Sequence, residues 1–170
     1  MKTIKMRLTP ESVDNVIAEL KDYQNDLERK LKILVGRLTQ EGVQVARSAV
    51  ITSQGDSHDA GVDYKIDSTS GEIIEATIWL TGTDALFIEF GAGIFYNNGN
   101  IHPKAAEFGY GVGTYPGQRY AITPGYWWYR DESKHLRFSL GTEATMPMYR
   151  AAETIRNQII QTAIETFMKG

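Results

Sequence analysis

Glu89 is the residue whose type and setting most invite chemistry. In "DALFIEFGAG" (84–93) its carboxylate stands among Phe87, Ile88 and Phe90. Apolar neighbours desolvate a carboxyl and favour its neutral form, the state a general acid needs. A hydrolase built on paired carboxylates requires a second one, and the near neighbour in sequence is Asp84. The enzymatic expectation is therefore a small hydrolase using Glu89 with His58, His102 or His135. The structural expectation is that Glu89 accepts backbone N–H bonds from the Gly91-Ala92-Gly93 turn, or pairs with an arginine of this or another chain. The structural role is favoured, because no second catalytic group accompanies Glu89 along the chain.

The remaining candidates are weaker. No histidine has a histidine or cysteine at metal-ligand spacing; His58 merely lies between Asp56 and Asp59, which lack the alternating ligands and central glycine of a calcium loop. "GYGVGTYPG" (109–117) has closely spaced glycines, but it lacks the Gly-Lys-Ser/Thr ending of a phosphate loop, and no helix is predicted after it. It reads as a glycine-hinged aromatic loop. Ser48, Ser53 and Ser139 lack the setting of a nucleophile elbow. Around Tyr126, Trp127, Trp128 and Tyr129 the near basic residue is Arg130, too little for stacking on nucleic acid. No catalytic, metal or cofactor-binding residue is assigned.

The elements that position these residues follow from periodicity. "TIKMRL" (3–8) alternates as a short strand or an extended lead-in, and Thr9-Pro10-Glu11 supplies a cap, a first-turn proline and an acid at the positive end of a helix dipole. From Val13 through Leu20, Leu27, Leu34 and Leu38 apolar residues step by threes and fours, predicting a helical region over 10–50 whose single stripe is buried as ordinary core. Helices average about 11–12 residues, so a break near Asp22 to Asn25 is expected. A β-hairpin over 60–82 follows, with Ile74, Ala76, Ile78 and Leu80 on its inner face. "DALFIEFG" fits a helical turn or a strand. Residues 91–125 hold eight of the sixteen glycines and three of the five prolines, marking a long loop ordered by Phe95, Tyr96, Phe108, Tyr110 and Tyr115. Strands are predicted within 126–141, and a helix over 147–168 begins at Pro147. The fold class is α+β: a small antiparallel sheet packed against a long N-terminal helix and a C-terminal helix, with a long irregular insertion.

Bulk properties narrow the function classes. A chain of 170 residues forms one domain over 1–170 and buries roughly 70% of its unfolded surface, enough for a core. It has no cysteine, which excludes disulfides and thiolate chemistry and suits a reducing compartment. The net charge of −3 argues against an electrostatic grip on nucleic acid. It is unevenly spread: +2 over 1–55, −7 over 56–107 and +2 over 108–170. No run approaches the roughly 20 apolar residues of a membrane span, and "MKTIKMRLTPES" lacks a signal region. A soluble cytoplasmic protein is expected.

In the order "DALFIEFGAG", glycine and aromatic loop, "GYWWYRD", "MPMYRAAETI", the chain resembles the tail-completion, or head–tail joining (neck), proteins of long-tailed bacteriophages. "EFGYGVGTYPGQ" followed by "WWY" is similar to versions from phages and prophages of low-GC Gram-positive bacteria. The likeness runs from about residue 8 to 168, with Ala92 in place of the family's Thr or Ser and Met148 in place of its Phe.

The resemblance implies a non-enzymatic virion component without cofactor. It would form a ring, commonly six-fold, at the head-proximal end of the tail, joining tail to head. Its partners would be sister copies, head-connector proteins and tail-tube or terminator proteins. DNA would pass through as non-specific cargo, and no membrane is involved. It would be found in the virion, and in host cytoplasm during assembly. A tail terminator or head-closure protein is the neighbouring alternative. In this reading Phe87, Glu89, Phe90, Gly91 and Gly93 fix a turn, and Pro147, Met148 and Tyr149 seat the last helix against the sheet. The loop residues Phe95, Tyr96, His102, Phe108, Tyr110 and Tyr115 reach a neighbouring subunit, since a ring needs one patch to meet a different patch on the next copy.

Overall fold

A computed structural model describes residues 7–53, 59–69, 73–92, 101–111, 115–116, 127–130, 133–139 and 141–168. Helix α1 spans Pro10–Ser53 without interruption, 44 residues and therefore roughly 65 Å long. Strands β1 (Gly61–Thr69) and β2 (Ile73–Thr81) form an antiparallel hairpin, followed by the short helix α2 (Ala85–Phe90). A 3₁₀ turn covers Ala106–Phe108. Strands β3 (Trp127–Arg130) and β4 (Leu136–Ser139) make a second antiparallel pair, and α3 (Pro147–Met168) closes the order. The fold is α+β, with a long N-terminal helix, an antiparallel two-stranded sheet and a C-terminal helix.

The expected break near Asp22 to Asn25 is absent. That segment contains no glycine or proline. Asp26 pairs with Arg29 at 2.6 Å and with Lys30 at 3.2 Å, while Lys32 meets Glu28 at 2.7 Å. Such i,i+3 and i,i+4 pairs support a helix one turn at a time. The side-chain bond from Arg29, then that from Lys30, holds the Asp26 carboxyl below its ordinary value. Support from a depressed carboxylate is present at neutral pH and is lost as pH falls through its folded-state value. Average helix length was the wrong guide: local ion pairs and the lack of a breaker carry the helix past it.

The core forms where the second half of α1 meets the hairpin and α3. Val43, Ala46 and Val50 pack with Val62 and Ala151, flanked by Ile78, Leu80 and Met148. Burial along β2 alternates, with Ile74, Ala76, Ile78 and Leu80 on the less exposed face. Small residues on α1 admit close approach: a Cβ on Gly42 would lie 2.7 Å from Ile155 Cδ1 and 2.9 Å from Ile78 Cδ1. Gly42 faces Ile155, whereas Ala46 and Val50, further along α1, share their cluster with Ala151, earlier on α3, so α3 lies antiparallel to α1.

The hairpin is tied to α2 by a closed set of bonds. Asp84 N–H donates to Asp59 O (3.1 Å), Asp59 N–H to Asp84 Oδ2 (3.0 Å), and Thr83 N–H to Asp59 Oδ2 (3.2 Å). Gly82 makes this approach possible. It has φ +101°, and a Cβ there would sit 2.1 Å from Asp59 O. The contact is with backbone, so no rotamer change relieves it. Gly82→Ala is expected to destabilise the protein by more than about 2 kcal/mol, combining left-handed strain with a backbone clash. Chemical denaturation of the variant checks this; a midpoint matching the parent refutes it.

Candidate functional site

The last helix starts without a cap of its own. Arg150 N–H donates to Met146 O (2.9 Å), which makes Met146 the residue at the cap position, and methionine has no oxygen to offer. Pro147 in the first turn has no N–H to satisfy. The amides of Met148 and Tyr149 remain. Both donate to Glu89, at 2.8 Å to Oε2 and 2.9 Å to Oε1. The cap of α3 therefore comes from α2, about sixty positions away along the chain.

The attachment has a second layer. Thr145 N–H (3.0 Å) and Met146 N–H (3.3 Å) donate to Ile88 O, so the residue beside Glu89 holds the chain just ahead of α3. Met146 takes φ +54°, a left-handed conformation that surrounding bonds must stabilise. Ile88 and Pro147 are the largest fully buried side chains among the described residues. α2 thus grips the helix start through one backbone carbonyl and one carboxylate.

His102 completes the carboxylate's shell. Its Nδ1 accepts Lys104 N–H at 3.0 Å, which leaves Nε2 to carry the proton, and Nε2 lies 3.3 Å from Glu89 Oε1. Glu89 and His102 are 6% and 5% exposed. The imidazole meets Phe90 edge-on at 4.6 Å and Tyr149 at 5.2 Å between ring centres. A buried carboxylate with three donors and a helix N-terminus is compensated; one without them would be costly.

An aromatic pad covers this centre. Phe90 stacks on Tyr110 at 5.0 Å and lies 5.1 Å from Phe108, and Phe87 meets Tyr110 and Tyr115 edge-on. Ala105 is buried among them. Burial pushes the Tyr110 hydroxyl above its ordinary value. The α2 helix ends at Gly91, whose φ is 75°.

Two expectations change. In the described part of the turn, Glu89 does not take the amides of Gly91 and Ala92: Gly91 N–H goes to Phe87 O and Ala92 N–H to Thr142 O. Helical side chains lean toward the helix N-terminus, so a glutamate near the end of α2 points away from its own C-terminal turn. His102 and Tyr110, expected to reach a neighbouring subunit, are buried within their own chain on α2. Tyr115 packs there partly exposed, and Phe108 keeps a face 54% exposed. Of the residues expected to seat the last helix, Met148 and Tyr149 give their amides to Glu89 on α2, Met148 packs against the cluster that holds Val62, as do Ile78 and Leu80, and Pro147 is buried. Gly93, Phe95, Tyr96, His58 and Tyr126 lie outside the described residues.

The link from Glu89 to the start of α3 was missed in the sequence, although Met146-Pro147 carried a hint. A helix start with no Ser, Thr, Asp or Asn requires an acceptor from elsewhere, and Glu89 is the carboxylate set in an apolar run. Among the described residues no group of three His, Asp or Glu could hold a metal ion, and no helix is long and apolar enough to cross a membrane. No protein-family model matches the chain, and no curated protein or solved structure gives a significant match.

Glu89→Ala strands two helix amides and His102 in a buried site. The expected cost is about 3–5 kcal/mol, the usual penalty for removing one partner of a buried charged set. Glu89→Gln keeps one acceptor oxygen and should lose less than half as much. Thermal unfolding distinguishes them; equal stability of all three forms would refute the capping role.

Proposed function

We propose that this chain is a structural virion protein of the tail-completion, or neck, type: it forms a ring at the head-proximal end of a phage tail and joins tail to head. The ordered motifs "DALFIEFGAG", "GYWWYRD" and "MPMYRAAETI" support the family reading. The observation that carries its non-catalytic part is the engagement of Glu89. A general acid must present its proton to a substrate, yet both oxygens of this carboxylate face donors of its own fold, and the group is 6% exposed.

The partners are sister copies, the head connector and the tail-tube or terminator proteins, with DNA passing through unread. A net charge of −3 suits a channel that must release DNA as readily as it admits it. Heterologous contacts close rings, and an exposed Phe108 at the edge of the aromatic pad offers one patch for such a contact.

Electron microscopy of particles made with and without the chain tests this. Its loss is expected to leave DNA-filled heads and finished tails unjoined, and adding it back should join them. Pull-down with purified tails against DNA-filled heads separates neck, terminator and head-closure roles. Normal joined particles in its absence would end the proposal.

A further inference from the structure

The first half of α1 leaves the body of the protein uncovered. Every buried residue of the helix lies at Leu38 or beyond. The apolar stripe continues below it through Val13, Ile17, Leu20, Tyr23 and Leu27, all exposed, with Leu20 at 50% and Tyr23 at 61%. From Val13 to Leu27 the spacing is close to 3.5 residues, the period of a helix that packs lengthwise on another helix.

The charges along the same helix are divided. Residues 11–26 carry Glu11, Asp14, Glu19, Asp22 and Asp26 against Lys21, a net of −4. Residues 27–37 carry Arg29, Lys30, Lys32 and Arg37 against Glu28, a net of +3. A parallel pair of such helices sets acid on acid and base on base. An antiparallel pair sets each acidic half on the other copy's basic half, which lowers the energy of one arrangement and raises that of the other.

We propose that the α1 arm binds the α1 arm of a second copy, antiparallel and two-fold symmetric, with the axis between Tyr23 and Leu27. In this register Leu27 meets Tyr23 of the second copy, and Leu34 meets its Val16. Glu19 comes beside its Lys30, and Lys21 beside its Glu28. The overlap spans about 24 residues, roughly 36 Å. Strips of that length and about 10 Å width on two cylinders remove roughly 700 Å² from water, below the roughly 1,200 Å² at which stable specific interfaces begin and within the range of transient contacts. The dimer is therefore weak, concentration-dependent and loosened by salt. The pairing stands apart from the virion reading: its failure leaves the ring untouched, and a chain absent from phage necks can still pair this way.

The chain has no cysteine, so introduced ones report cleanly. Full-length Gln24→Cys, placed near the axis, is expected to cross-link to itself with a short bismaleimide. Val16→Cys alone should not, because its two copies lie roughly 27 Å apart along the pair. A mixture of Val16→Cys and Leu34→Cys should link. Sedimentation should show a dimer that dissociates on dilution, in high salt, and with Leu20→Glu, whose circular dichroism stays that of the parent. Self-linking of Val16→Cys would establish a parallel pair and overturn the proposal. So would a monomer at every concentration, failure of Gln24→Cys to link, or a Leu20→Glu variant as dimeric as the parent.

Discussion

One carboxylate joins the two ends of this fold. Glu89 sits on a helix of six residues, too short to be stable alone, and supplies the cap that α3 lacks. Each element needs the other. α2 is held by Ile88 O and Glu89 to the start of α3, and α3 begins where it does because its first free amides find Glu89. The bond set also fixes the polarity of the site. The partial positive end of a 22-residue helix faces a negative charge in a buried place, where the attraction is less screened than at the surface.

This constraint propagates outward. With α3 fixed at its first turn, its antiparallel course along α1 is set by the close approach at Gly42 and Ala46. The hairpin is fixed from the other side by Gly82 and the reciprocal Asp59–Asp84 bonds. Phe90, one residue from Glu89, carries the aromatic pad, and His102 belongs to both carboxylate shell and pad. Loop residues 101–111 are thereby tied to the same centre that starts α3. A perturbation at Glu89 reaches the helix, the loop and the pad together, because they share atoms and not merely proximity.

The regular elements were legible in the sequence where their signal was periodic. The stripe of α1, the alternation of β2 and Pro147 at the start of α3 each reflect one local rule, and each element lies where its rule puts it. The continuity of α1 was not legible, because it depends on Asp26 pairing with Arg29 and Lys30 and on no breaker intervening. "DALFIEFG" was ambiguous for a different reason: a short apolar run fits both strand and helix, and only the bonds at its two ends decide. The site was half legible. Glu89 and Pro147-Met148-Tyr149 stood out singly, but nothing local says that a carboxylate serves amides about sixty positions away. His102 looked like a loop residue because its burial is created by the fold and by Phe90 and Tyr149.

The division of α1 into a packed half and an uncovered half bears on how such a chain is used. A helix buries its stripe because apolar surface in water is costly, about 25 cal/mol for each Å². In α1 the stripe does not stop where α3 and the sheet stop; it runs on to Val13 with heptad spacing. Had the arm served only as a spacer, polar residues on every face would be the cheaper solution, since they impose no aggregation hazard. Retaining leucines, isoleucine and tyrosine there, with acid and base sorted to opposite halves, gives the surface both an attraction and a direction. The body is held by internal caps and a tied hairpin, none of which involves the arm. The arm is thus free to be specified by what it meets, and the sorted charges say that the surface it meets runs the other way.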